Sequence, residues 1–405
     1  MMRRCANRNP IMRKILSTLL FLITGVSPVL AYRDIGTVEV QADNRSIPVR
    51  VIADRADLSA LAQRAFAAHG RYRIADGGYA AYTFRFSLAG ASQVRVDIAR
   101  GVGAERVASA LVPGTSARNA LLRAADIAVE KTNGMGLHGF FASKLAFIGE
   151  MTGHKEVYVS DLFCGEVRRI TNDRAIALSP RWAPDGNRIV YTSFYHSGAP
   201  DIFLMDLGTN QRMTFESFKG TNSGARFSPN GEQVAMTLSG EGETQIYVSD
   251  ANGRRVSRRT YGDSVKASPC WSPDGSRIVY ASSPGPQLYM ISAGGGGAER
   301  ITQGISRFCA EPDWSTANPN KIAFTIKPGS YQIAVLDLSS GRSEQVSKAP
   351  FDGIEPCWLA DGRHLVYTAR TRYDSVLSIL DTETGKSTPI SKRLGPAHSA
   401  SVWLR

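Results

Sequence analysis

An aromatic residue placed just ahead of a tight-turn signature recurs through the last 230 or so residues, at Trp182, Phe227, Trp271, Trp314, Trp358 and Trp403. The successive gaps are 45, 44, 43, 44 and 45 residues. A fixed period of that length restricts the chain to repeat architectures, because each unit must bury its apolar face against its neighbours. The clearest copy runs from Trp271 through Ser272, Pro273, Asp274 and Gly275 to Ile278, Val279 and Tyr280. Asp-Gly or Asn-Gly between apolar runs signals a hairpin, since Gly takes positive φ without steric cost. The copies at Trp182 and Phe227 match it, that at Trp358 keeps Asp361-Gly362, and that at Trp314 runs through Asn318-Pro319-Asn320.

A β-prone segment follows each aromatic, as in Ile189–Thr192, Ile322–Thr325 and Leu365–Thr368. A third strand follows, for example Ile202–Asp206, Ile246–Asp250 and Ile333–Asp337. A fourth ends in a hydroxyl pair such as Ile170-Thr171, Ile301-Thr302, Val346-Ser347 or Ile390-Ser391. Four short strands per period describe a propeller blade, and no copy carries the 3.6-residue apolar period of a helical solenoid. Lys144–Ile148 reads as a second strand with no first strand before it, and Ser401–Arg405 as a first strand with nothing after it. Pairing these ends closes a ring of six blades without a long free edge. The expected fold is mainly β: a six-bladed β-propeller over residues 138–405, preceded by a small α/β domain.

The first 31 residues read as a secretory signal. Arg3, Arg4, Arg8, Arg13 and Lys14 precede the apolar run Ile15–Ile23, and Val29-Leu30-Ala31 offers small residues for cleavage after Ala31. Met12 begins a tidier signal than Met1, so either can be the start. The run is too short and too interrupted for a permanent membrane span. Removing its five basic and no acidic residues lowers the net charge from +12 to +7. The remaining arginines are scattered on alternate strand positions, which argues against nucleic-acid binding. Residues 32–137 lack the repeat and read as a β-α-β-β-β-α domain. Its strands are Ile47–Ile52, Arg71–Ala75, Tyr82–Leu88 and Gln93–Ile98. Its helices are Leu58–Ala68, with Asp57 as N-cap, and Ser116–Lys131, capped by Thr115 or Ser116. Asn133-Gly134-Met135-Gly136 then forms a hinge.

The chain carries no catalytic signature. No Gly-x-Ser-x-Gly elbow occurs, and Gly294–Gly297 opens no helix, so it is a blade loop and not a phosphate cradle. The histidines at 69, 138, 154, 196, 364 and 398 never fall at metal-ligand spacing, and His364, at the start of a strand, is expected at the surface. Glu311 and Asp313 flank one another, but Glu355 repeats the Glu311 position one blade on, which argues for a structural or surface role. Cys164, Cys270, Cys309 and Cys357 show no CxxC spacing. Their pattern stays open between buried thiols and a bridge from Cys309 to a neighbour. No cofactor, metal or catalytic residue is expected.

An export signal, a small α/β domain and six blades carrying W-S-P-D-G and I-V-Y-T-S together make the chain resemble the TolB family, periplasmic propellers of the Tol-Pal system. The junction Lys131-Thr132-Asn133-Gly134, followed by Gly139–Phe147, is similar to the family's own domain junction. The resemblance covers essentially all of the mature chain. It implies a monomeric, non-enzymatic periplasmic adaptor supporting outer-membrane integrity and constriction at cell division. A Pal-like peptidoglycan-associated lipoprotein would bind at the propeller mouth, and a TolA-like inner-membrane protein would engage the N-terminal segment. The mouth holds the loops that join one blade's outer strand to the next blade's inner strand. Its expected contact residues are Ala177, Thr221, Asn222, Gly224, Lys266, Ala267, Ser268, Phe308, Glu311, Ile354, Glu355 and His398. Thr221 stands where the family commonly has histidine, and Ala267 where it has threonine, so the face is tuned to a divergent partner. Thr37, Val38, Glu39, Val40 and Gln41 are the expected TolA-like contacts. Their alternation suits strand addition to a partner's sheet, or equally an edge strand of the chain's own domain. The competing readings are a propeller lyase, for which only His398 lies at a mouth loop, and a glycan-binding scaffold.

Overall fold

The computed structural model describes residues 46–403 apart from 76, 103, 104 and 241. The signal segment and the TolA-like contacts Thr37–Gln41 lie outside the described residues. No helix among the described residues is long and apolar enough to cross a membrane.

Six four-stranded antiparallel sheets follow the small domain. Five blades begin at the inner strands Ala177–Trp182, Asn222–Phe227, Lys266–Trp271, Cys309–Trp314 and Asp352–Trp358. The sixth takes its inner strand, Ala397–Trp403, from the end of the chain and its other three from Lys144–Gly149, Glu156–Asp161 and Arg168–Arg169. Ring closure therefore follows the expected pairing, with Val402 opposite Leu145 and His398 opposite Ile148.

The hydroxyl that follows five of the outer strands has a defined task. Thr260 Oγ1 accepts from the Ile246 N–H at 2.9 Å and donates to Gln245 at 2.8 Å, both in the third strand. Thr302 and Ser347 repeat this with Leu288 and Gln287, and with Ile333 and Gln332. A side chain thus takes over the ladder where the outer strand stops, which lets outer strands be as short as Ser257–Arg258. The second and third strands are buried on both faces, and their Val, Ile and Tyr residues form the core clusters between blades.

Every inner strand carries a bulge at one position. Ser179, Gly224, Ser268, Glu311, Glu355 and Ser399 all have φ between 49° and 64°, and the register to the second strand shifts there. The bulge turns the next side chains into the channel and toward the neighbouring blade.

The small domain has strands β1 (Ile47–Ala53), β2 (Tyr72–Ile74), β3 (Tyr82–Gly90), β4 (Gln93–Arg100) and β5 (Glu105–Pro113), with helices α1 (Ala56–Ala68) and α2 (Ala117–Thr132). Sheet order is β2-β1-β3-β4-β5, with β1 parallel to β3. Phe66 of α1 sits at the centre of the core against Tyr72, Phe84, Phe86 and Phe141. Strand β5 escapes the sequence pattern because its Ala- and Ser-rich edge is mostly exposed, and only pairing with β4 defines it. Helix α1 starts two residues earlier than expected, with Arg55 and not Asp57 at the N-cap, and Asp57 in the first turn bonded to Arg55. Ser116 caps α2 by accepting from Asn119 N at 3.0 Å.

Candidate protein-binding face

Blade topology sorts the loops onto two faces. Turns after the aromatics, and those closing the third strand onto the fourth, share one face with the ends of the inner strands. The small domain packs there. Arg118 grips Asp161 through two bonds of 3.0 Å, and Lys386 donates to the Ala67 carbonyl at 2.9 Å. Gly70 N–H donates to His364 Nε2 at 3.3 Å.

This junction corrects the reading of His364. It is fully buried and belongs to a cluster with His69 and Asp361. His364 Nδ1 lies 2.5 Å from Asp361 Oδ2, and its ring meets the His69 ring edge-on at 4.6 Å. These three residues offer ligand atoms within 4.8 Å of one another, although the chain spacing shows no metal pattern. Both His364 nitrogens are already engaged, by Asp361 and Gly70, so the group works as an interdomain lock. His69 Nε2 is without a partner. Burial, followed by the charge on His364, holds the His69 ring well below the ordinary histidine range. Against a burial that would raise it, the His364 ring holds the Asp361 carboxyl down at about 2.

These directions fix a pH dependence. His69 takes up a proton when unfolded but resists it when folded, so stability falls as pH drops below about 6.5, by at most roughly 1.4 kcal/mol per pH unit. His398, also lowered by burial, contributes with the same sign. Because the raised carboxyl of Asp126 acts with the opposite sign in this window, the His69 share is read by difference: between pH 7.5 and 5 the melting temperature of His69→Gln is expected to fall less than that of the parent chain. Equal pH slopes for the two proteins would refute the assignment.

The expected hinge is fastened. Asn133 Oδ1 accepts from Met135 and Leu137 N–H groups, and Asp126 accepts three N–H bonds, from Phe140, Phe141 and Ala142, at 2.7–2.9 Å. Burial still pushes the Asp126 carboxyl up, to about 6.

The opposite face, which none of the described residues of the small domain covers, holds the predicted mouth. Its expected contacts separate into two groups. Ala177 and Asn222 have no exposed surface, and Lys266 and Ile354 are buried. Asn222 ties its loop by bonding both the N–H and the carbonyl of Phe218, at 2.9 and 2.7 Å. Lys266 Nζ turns back to the Ser264 carbonyl and hydroxyl, both at 2.8 Å. Burial, then the nearby Arg258, lowers its pKa. These residues shape loops and do not present themselves. Thr221, Gly224, Ala267, Ser268, Phe308, Glu311, Glu355 and His398 are half-buried. Phe308 leans edge-on against Tyr331 at 5.2 Å.

The two glutamates staple blades together. Glu311 Oε2 accepts from Glu355 N–H at 3.0 Å, and Glu355 accepts from Ser399 N–H and hydroxyl at 2.9 and 2.7 Å. Thr325 and Thr368 supply further donors. Burial, then the charge on Glu355, raises the Glu311 pKa. Beside them, Glu355, Ile354 and His398 border a cleft of about 350 Å³ that also takes in Glu150, Lys155, Arg370 and Tyr373.

Sequence reasoning missed the most exposed groups of this face. Met151, Ile176, Tyr195, Phe218, Tyr261, Val265, Phe351 and Tyr373 are 38–84% exposed. All lie in loops ahead of inner strands or in turns between second and third strands. With Phe308 they touch every blade. The available signal was an apolar residue immediately before an inner strand, at Ile176, Val265, Phe308 and Phe351, where a turn needs none.

The four cysteines among the described residues are free thiols, so Cys309 forms no bridge with the other three.

Residues 132–403 match the family described as TolB beta propeller domain. A TolB homolog from Chlorobium luteolum is 31% identical over 163 residues, 40% of this chain and 37% of that protein. The Tol-Pal system protein TolB of Bordetella pertussis is 31% identical over 166 residues, 40% of this chain and 38% of that protein. The chain thus spans under two fifths of the length of these relatives. The crystal structure of TolB from Acinetobacter baumannii has the same fold, with a TM-score of 0.77 at 23% identity, covering 88% of this chain and 96% of that one.

Proposed function

Because the chain belongs to the TolB β-propeller family, we propose that it is a non-enzymatic periplasmic adaptor of a Tol-Pal system. It docks a Pal-like peptidoglycan-associated lipoprotein on the face opposite the small domain. It engages a TolA-like inner-membrane protein through Thr37–Gln41, and so supports outer-membrane integrity and constriction at division. The observation that carries this reading is the ring of apolar side chains on that face, with Tyr373 84%, Tyr261 69% and Phe351 59% exposed. Exposed apolar groups concentrated on one surface mark a protein contact, and aromatic anchors dominate the energy of such contacts.

The test is calorimetric titration with the soluble domain of a peptidoglycan-associated lipoprotein from the same cell. Phe351→Ala with Tyr373→Ala is expected to weaken binding by about thirtyfold, whereas Tyr79→Ala, on the exposed surface of the small domain, leaves it unchanged. Absence of binding by the unaltered chain would overturn the adaptor reading. Retention on peptidoglycan alone would favour a glycan-binding scaffold.

A further inference from the structure

On the turn side of the channel lies a chamber of about 330 Å³ that no residue of the small domain borders. Its wall is built from the repeat aromatics, including all five tryptophans of the chain. Its floor is the side chain two residues past each bulge: Arg181, Arg226, Cys270, Asp313, Cys357 and Ser401.

The bonds of this floor can be followed one by one. Asp313 accepts from Arg226 Nη1 at 2.6 Å and from Trp358 N–H at 2.7 Å, so both its oxygens are engaged. Cys270 Sγ accepts from Trp314 N–H at 3.2 Å and faces Arg226 at 2.9 Å. Ser401 Oγ accepts from Trp182 N–H at 3.2 Å. Arg181 alone among the charged groups meets no carboxylate among the described residues. It donates from one nitrogen only, Nη1, to the carbonyls of Pro180 and Ala400 at 3.1 and 3.3 Å. Burial pushes the Cys357 thiol up to about 12, so it adds no negative charge. Within the floor itself two guanidiniums face one carboxylate, and Glu311 and Glu355 line the far side of the same two arginines without pairing directly with Arg181.

The wall shows a matching gap. Trp271, Trp314, Trp358 and Trp403 each donate the indole N–H to a backbone carbonyl at 2.8–3.1 Å. The Trp182 indole N–H has no partner. Arg181, which meets no carboxylate directly among the described residues, thus borders an aromatic-walled space.

We infer that this chamber binds a small monocarboxylate with a flat apolar body, its carboxylate on Arg181 and its body against the indoles. A guanidinium presents a planar fork that fits a carboxylate. A concave aromatic wall with few polar groups suits an apolar body.

The probes are 3-phenylpropanoate and its neutral amide, added to the full mature chain. Because all five tryptophans border the chamber, their emission reports occupancy directly. The acid is expected to give a saturable change, and the amide to bind about tenfold or more weakly. Arg181→Gln should lose the difference between acid and amide, and Arg181→Lys should keep part of it, with circular dichroism confirming that each variant is folded. A wild-type chain that shows no saturable response, or responds equally to acid and amide, overturns the inference and leaves Arg181 hydrated by channel water. If Arg181→Gln does not fold, the acid-amide comparison on the unaltered chain decides alone.

Discussion

Removal of residues 402–405 is expected to unfold the propeller well below the melting temperature of the full chain. Val402 and Trp403 pair with Leu145 and Lys144 and so join the two ends of the ring. Trp403 does more than extend a ladder. Its indole N–H donates to the Pro184 carbonyl at 3.0 Å in the next blade, and its ring lies 6.2 Å from that of Trp182, with Lys144 Nζ 5.2 Å from its centre. Loss of a packed tryptophan costs about 3–5 kcal/mol. That is a large part of the 5–15 kcal/mol by which domains are typically stable. Gly186→Ala tests the same contact without shortening the chain. Gly186 has φ of 66°, and a Cβ there would sit 2.1 Å from Trp403 Cζ2, so the side chain would drive the closing strand outward. We expect a cost of at least about 3 kcal/mol from strain and overpacking together. Urea unfolding measures both variants, and midpoints equal to that of the parent chain would show that closure does not hold the ring.

Gly70→Ala is expected to uncouple the small domain from the propeller. A Cβ at Gly70 would lie 1.6 Å from Asp381 Oδ2. That carboxylate cannot swing aside, because Arg363 holds it through bonds of 3.1 and 2.7 Å and is itself 4% exposed. The same displacement would pull Gly70 N–H off His364 and leave a buried imidazole nitrogen unsatisfied. The combined cost is on the order of 3 kcal/mol or more. Both domains keep their own cores, so the expected signature is faster limited proteolysis between Asn133 and Ser143 with blade secondary structure intact. An unchanged cleavage rate and melting temperature would mean the junction tolerates the methyl group and that the lock lies elsewhere.

The repeat period, the turn chemistry and the unmatched strands at the two ends were enough to define six blades and their closure. Each rests on local physics: a Gly that must take positive φ, apolar runs of strand length, a hydroxyl that caps a short outer strand. Membership of the small domain in the α/β class was equally legible, apart from β5, whose Ala110 and Ser109 carry no strand pattern until β4 supplies a partner. What the sequence left undetermined was which surfaces meet. Asn222 and Lys266, expected in loops, open inner strands, and their polar ends turn back onto Phe218 and Ser264, while Tyr373 and Phe351 stand in solvent. His364 begins a strand as expected, yet it is buried because α1 brings His69 and Gly70 against it. Glu311 and Glu355 repeat along the chain, and only the curvature of the ring places one within reach of the next blade's N–H. Turn and strand preferences act between residues close in sequence and are written into it. Burial, charge pairing and the exposure of a docking face depend on contacts between blades and domains, and those exist only once the ring has closed.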